Sequence, residues 1–97
     1  MHKMTFGELL DSVKNGQIPS GLNPLLKSLW HDANGNWHKA HEIAQDIASA
    51  DGSLIHAYLH RKEGDLWNAN YWYKRAGSEM PQVSLEEEWE MLVRKFL

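Results

Sequence analysis

Histidine is the residue type in this chain whose spacing is best suited to chemistry. His56 and His60 are four residues apart, which places both imidazoles on one side of a helix in the arrangement that lets two histidines share a metal ion. His31 occupies the equivalent position on an earlier helix, and His41 is predicted at the edge of the helix between them. These four residues form a candidate metal site, and their imidazoles favour Zn²⁺ or Ni²⁺ over Mg²⁺.

A purely structural role for the histidines is the favoured alternative. A histidine at the margin of a helix–helix interface usually packs its ring and forms a hydrogen bond with a carboxylate or a carbonyl. The predicted carboxylate partners are Glu42, Asp46, Glu63 and Asp65. The chain has no His-Glu-x-x-His motif and no cysteine, so we assign no catalytic residue and expect a protein that is not an enzyme.

Composition narrows the classes of protein to which the chain can belong. Its 97 residues suit one domain, and the absence of cysteine excludes disulfides and thiolate metal sites. A net charge of −3 with both signs interspersed argues against binding to nucleic acid. Unbroken apolar runs of only two or three residues predict no membrane span, and no signal-peptide core opens the sequence, so we expect a cytoplasmic protein.

The helices predicted to position the histidines belong to an internal repeat with an offset of 29 residues. The first copy reads Leu25-Leu26-x-x-Leu29-Trp30-His31, then Gly35-Asn36 and Ala40. The second copy reads Leu54-Ile55-x-x-Tyr58-Leu59-His60, then Gly64-Asp65 and Ala69. A period of this length is typical of stacked helical pairs, so we predict two similar hairpins that lie side by side.

Capping and stop signals predict six helices and no strand, that is, an all-α fold. Thr5 with Glu8 and Ser84 with Glu87 are capping boxes, and the other predicted caps are Asn23, Asn36, Asp51 and Asp65. The predicted organisation is one domain over 1–97. It comprises an N-terminal capping helix at 5–16, helix pairs at 23–48 and 51–77, and a C-terminal capping helix at 84–97.

The second repeat also carries a family motif. The segment Gly64-Asp65-Leu66-Trp67-Asn68-Ala69-x-x-Trp72-Tyr73-x-x-Ala76 resembles the second helix of a tetratricopeptide repeat. This resemblance implies two antiparallel helix pairs and a protein-binding role. The strings Ala33-Asn34-Gly35-Asn36-Trp37 and His56-Ala57-Tyr58-Leu59-His60-Arg61-Lys62-Glu63-Gly64-Asp65 are similar to a group of short bacterial proteins without an assigned activity, which implies a bacterial source.

The leading functional hypothesis is a non-catalytic module that binds a protein or peptide. Stacked helical pairs form a concave surface from their first helices, and the candidate groove residues there are Lys27, His31, His56, His60 and Lys62. The alternative is a small-ligand or metal-binding protein, with or without enzymatic activity, that uses the histidines.

The fifth predicted helix has apolar residues on two faces. Its inner stripe is Leu66, Ala69, Trp72, Tyr73 and Ala76, whereas Trp67 and Tyr71 project to nearly the opposite side. Either the last helix covers this pair or the pair contacts another molecule, which includes a second copy of the chain.

Overall fold

The computed structural model describes residues 3–97 and contains six α-helices in that range. In chain order they are α1 (Phe6–Asn15), α2 (Pro24–Ala33), α3 (Trp37–Gln45), α4 (Ala50–Lys62), α5 (Leu66–Arg75) and α6 (Leu85–Phe96). No strand occurs among these residues, so the all-α prediction is confirmed. None of the six helices has the length and apolar character needed to cross a membrane.

Side chains cap the helix starts, mostly as the sequence predicts. Thr5 Oγ1 accepts a hydrogen bond from the Glu8 N–H at 3.1 Å, and Glu8 Oε1 accepts one from the Thr5 N–H at 3.0 Å, so this capping box is confirmed. The caps predicted at Asn23, Asn36 and Asp65 are confirmed as well. Each cap satisfies an amide that has no carbonyl partner within its own helix.

The cap predicted for α4 is wrong. Ser49, not Asp51, is the N-cap, because Ser49 Oγ accepts a hydrogen bond from the Gly52 N–H at 3.1 Å. Asp51 instead lies in the first turn of the helix, where its negative charge interacts favourably with the helix dipole. Both residue types cap helices well, so residue type alone does not distinguish the two starts.

The duplicated sequence folds into two similar hairpins. Gly35 and Gly64 adopt left-handed φ angles of 84° and 90°, which reverse the chain after α2 and α4. The residue after each glycine donates its N–H to a histidine carbonyl five residues earlier, at 2.9 Å for His31 and 3.0 Å for His60. Because α2 packs on α3, α4 packs on α5 and α3 packs on α4, the prediction of two similar adjoining hairpins is confirmed.

Alanine permits the close approach of helices within and between these hairpins. Ala40 and Ala44 on α3 and Ala69 on α5 are almost completely buried, in agreement with their predicted inward position. Leu66 differs from the prediction, since 53% of it is exposed at the first position of α5. The inner stripe of α5 therefore begins one turn later than expected.

The last helix packs on the first helix of each hairpin. α6 contacts α2 and α4, and Trp89 Nε1 on α6 donates a hydrogen bond to the Leu29 carbonyl of α2 at 2.9 Å. Phe6 of α1 meets the Trp89 ring edge-on, with ring centroids 5.9 Å apart. This placement leaves Trp67 and Tyr71 exposed by 77% and 44%, so the alternative in which the last helix covers them is wrong.

Candidate functional site

Three histidines from two helices meet at the junction of the hairpins. His41 comes from α3, and His56 and His60 come from successive turns of α4. His41 Nε2 and His56 Nε2 are 3.0 Å apart, and one nitrogen atom from each of the three rings lies within 4.8 Å of the other two. We call these three residues the histidine cluster. The structure therefore brings together three of the four histidines predicted as a candidate metal site.

Two tryptophans hold the rings of the cluster in place. Trp37 stacks on His41 with a centroid distance of 5.0 Å, and Trp72 of α5 stacks on His56 at 4.0 Å, each pair with its planes 15° apart. Trp37 Nε1 donates a hydrogen bond to the Leu59 carbonyl of α4 at 2.9 Å. The orientation of the His41 ring is thus coupled to the backbone of the neighbouring hairpin.

The third histidine is oriented by a carboxylate. His60 Nδ1 donates a hydrogen bond to Glu63 Oε1 at 2.6 Å, so the carboxylate partner predicted at Glu63 is confirmed for His60. This bond places the proton of the neutral ring on Nδ1 and leaves the Nε2 lone pair free to accept a proton or bind a cation. Glu63 is exposed at the edge of the cluster, whereas the His60 side chain is mostly covered.

Burial favours the neutral form of two of the three rings, His41 and His56. Burial lowers the pKa of His56 to about 4, with smaller contributions from the nearby rings of His41 and His60. The pKa of His41 is also lowered, mainly by burial and then by the proximity of His60. A neutral imidazole is the form that binds metal ions.

The remaining predicted site residues lie elsewhere. His31 belongs to neither of the potential metal-binding groups found among residues 3–97, and its ring meets the Trp30 ring edge-on at 5.3 Å. Lys27 is exposed on α2, and Lys62 Nζ donates a hydrogen bond to Asp32 Oδ1 at 3.0 Å. His56 is only 7% exposed. The residues predicted to line one groove therefore lie in different surroundings.

Two buried carboxylates were not predicted from the sequence. Asp32 on α2 is 3% exposed and accepts hydrogen bonds from Lys62 Nζ at 3.0 Å and Tyr58 OH at 3.1 Å. Asp32 follows Leu25 and Leu29 at helical spacing, so an acid within an apolar stripe was a usable signal. Burial raises the pKa of Tyr58, and the charge of Asp32 and its hydrogen bond to the Tyr58 hydroxyl raise it further.

Glu88 on α6 is the second of these carboxylates. It is 2% exposed and accepts hydrogen bonds from Arg61 Nη1 at 2.7 Å and from Tyr73 OH at 2.5 Å. Arg61 also donates to the Val83 carbonyl. These bonds join α4, α5 and the α6 segment, and they satisfy a charge that would otherwise be costly to bury. Both buried acids are thus engaged in holding helices together.

An aromatic and cationic surface covers the outer side of α5. The Trp67 and Tyr71 rings stack in parallel with centroids 6.3 Å apart, and Arg75 Nη1 donates a hydrogen bond to Tyr71 OH at 3.2 Å. The Arg75 guanidinium lies 5.2 Å from the Trp72 ring centroid. We call Trp67, Tyr71, Lys74 and Arg75 the α5 face.

Comparison with known proteins identifies no family for this chain. No protein-family model matches it, and no curated protein or solved structure is significantly similar to it. The resemblances to tetratricopeptide repeats and to short bacterial proteins therefore stay predictions.

Proposed function

We propose that the protein is a non-catalytic interaction module whose α5 face binds an acidic segment of a partner protein. The observation that carries this proposal is the 77% exposure of Trp67 next to the 44% exposed Tyr71. A tryptophan this exposed adds little to the core of its own chain, whereas Trp, Tyr and Arg dominate the energetics of protein interfaces. The proposal keeps the interaction role predicted from the sequence and moves the surface from α2 and α4 to α5.

The rings of the α5 face form a flat platform for an apolar anchor. Trp67 and Tyr71 are one helical turn apart on α5, and their nearly parallel planes form a continuous apolar strip. Together with Asn70 and Lys74 they line a shallow cavity of about 250 Å³. A single side chain such as leucine or phenylalanine fits a depression of this kind.

Charge indicates the chemistry of the partner. The whole chain carries a net charge of −3, but residues 66–75 include no acidic residue and end in Lys74 and Arg75. The α5 face is therefore locally positive beside its apolar strip. Carboxylates that flank an apolar anchor complement such a surface, and rim charges of this kind mainly accelerate association and select the partner.

Designed peptides of equal length test the anchor and the charge separately. One carries a central phenylalanine between glutamates, a second replaces the phenylalanine with glycine, and a third replaces the glutamates with lysines. We expect saturable binding of the first peptide only, measured by fluorescence anisotropy of a label on the peptide. Added salt should weaken this binding, since the flanking charges are exposed.

A matched pair of variants locates the binding surface. Trp67→Ala should weaken binding of the acidic peptide about tenfold or more, as expected for an interface anchor. Met91→Ala removes another exposed apolar side chain, from α6, and should leave binding unchanged. Equal binding of the lysine peptide, or full binding by Trp67→Ala, contradicts the proposal. A dimer in sedimentation experiments that Trp67→Ala dissociates would instead assign the surface to a second copy of the chain.

A further inference from the structure

We propose that His41, His56 and His60 form a binding site for a divalent transition-metal ion, Zn²⁺ or Ni²⁺, at the junction of the two hairpins. This inference is independent of the α5 face and of any partner. It rests on the convergence of three ring nitrogens, which the fold brings together from two helices.

The nitrogen positions are close to those that a metal ion requires. With Zn–N bonds of about 2.0–2.1 Å, the nitrogens of a tetrahedral site lie roughly 3.3 Å apart. The His41 and His56 Nε2 atoms are separated by 3.0 Å, which is near this value. His60 contributes a ring nitrogen within 4.8 Å of both, so the rings must move closer together to complete the set.

An ion would replace an interaction that the cluster already makes. Two facing Nε2 atoms at 3.0 Å form a hydrogen bond only when one of them carries a proton. The neutral ring that carries it can move its proton to Nδ1, and both Nε2 lone pairs then point at the space between the rings.

The surroundings of the cluster resemble the supporting shell of metal sites. Glu63 fixes the His60 tautomer by accepting the Nδ1 proton, as carboxylates do for metal-bound histidines. Trp37 and Trp72 hold the other two rings by stacking, which lowers the entropy lost when the rings bind an ion. The cluster is therefore largely preorganised.

The donor set selects the type of ion. Three imidazoles suit Zn²⁺, Ni²⁺ and Cu²⁺, whereas Mg²⁺ and Ca²⁺ require oxygen ligands. Three protein ligands also leave one coordination position for water or for an external group. The site joins α3 to α4, so a bound ion would link the first hairpin to the second.

Isothermal titration calorimetry of tag-free protein, after removal of trace metals with a chelator, tests the site. We expect one Zn²⁺ or Ni²⁺ ion per chain and no heat with Mg²⁺. His41→Gln and His60→Gln should each weaken Zn²⁺ binding at least a hundredfold. His31→Gln and His38→Gln remove histidines outside the cluster and should change the affinity less than twofold.

Two further measurements separate metal ligation from a structural role. Glu63→Gln keeps all three ligands and should weaken binding about 10–100-fold, the usual effect of losing a partner that orients a ligand. Co²⁺ bound to the wild type should show the intense visible absorption of a four-coordinate nitrogen-ligated ion. Circular dichroism reports whether each variant remains helical.

The proposal is overturned if the wild type shows neither Zn²⁺ heat nor a Co²⁺ spectrum. It is also overturned if folded His41→Gln and His60→Gln both keep wild-type affinity. In either case the cluster is a hydrogen-bonded element of the interface between the hairpins. If a variant does not fold, the Co²⁺ spectrum of the wild type decides whether the metal site exists.

Discussion

His56 shows how neighbours from three helices change the properties of one residue. It lies on α4, stacks on Trp72 of α5 and contacts His41 of α3. Its four-residue spacing from His60 was visible in the sequence, and this spacing predicts that both rings lie on one side of a helix. The stacking of Trp72 on His56 was not visible in the sequence, because no local pattern predicts which residue of another helix covers a given ring.

Protonation of His56 should make stability depend on pH. The folded pKa is about 4 and the unfolded value is 6.5, so the unfolded chain binds the proton more readily between these values. The contribution of His56 to the free energy of unfolding is fully present above pH 6.5 and is lost as the pH falls towards 4. The expected loss is up to about 3 kcal/mol.

Urea denaturation of metal-free protein at several pH values measures this loss. The titratable groups that act on His56 are His41 and His60, and Glu63 is hydrogen-bonded to His60. The wild type should lose more stability between pH 6.5 and pH 4.5 than His56→Gln, while exposed His38→Gln should follow the wild type. Superimposable profiles of the wild type and His56→Gln would contradict the assignment.

At the scale of the element, the start of α4 lies in close contact with the segment that follows α3. A Cβ atom on Gly52 would clash with the Ile47 carbonyl oxygen, so the chain between α3 and α4 passes directly over this glycine. The start at Ala50 brings Gly52 to that contact. The sequence offered two good caps, Ser49 and Asp51, and the helix that begins after Ser49 is the one in which Gly52 meets the preceding segment.

Two glycine-to-alanine variants should have opposite effects on stability. Gly52→Ala should lower the free energy of unfolding by about 1–3 kcal/mol, because backbone must move to admit the new methyl group. Gly7→Ala, in the exposed part of α1, meets only Thr5 Oγ1 at 3.9 Å. It should raise stability by about 0.5–1 kcal/mol through helix propensity. Thermal denaturation measures the stability of both variants. If both lose a similar amount of stability, the close contact at Gly52 is not the cause.

At the scale of the whole molecule, α6 determines which surfaces remain free. It packs on α2 and α4 and leaves Trp67 and Tyr71 of α5 exposed. Trp89 and Trp67 consequently play different roles although both are large aromatics on amphipathic helices. Trp89 is 8% exposed and Trp67 is 77% exposed.

Alanine substitution should separate these two tryptophans. Trp89→Ala removes a buried ring and its hydrogen bond to the Leu29 carbonyl, and should cost about 3–5 kcal/mol in urea unfolding. Trp67→Ala should change stability by less than about 0.5 kcal/mol. A large loss of stability in Trp67→Ala would mean that this ring stabilises the fold, and the α5 face would no longer be a free surface.

The sequence by itself determined the six helices, most of their caps and the duplicated hairpin. These features depend on signals that act within a few residues, such as Thr5 with Glu8 or a glycine with positive φ after a helix. Only the tertiary structure decided where α6 packs, which of the histidines meet, and which aromatic residues stay exposed. The reason is that these outcomes depend on contacts between distant residues, such as Trp89 with Leu29, and side-chain packing rather than local propensity selects such contacts.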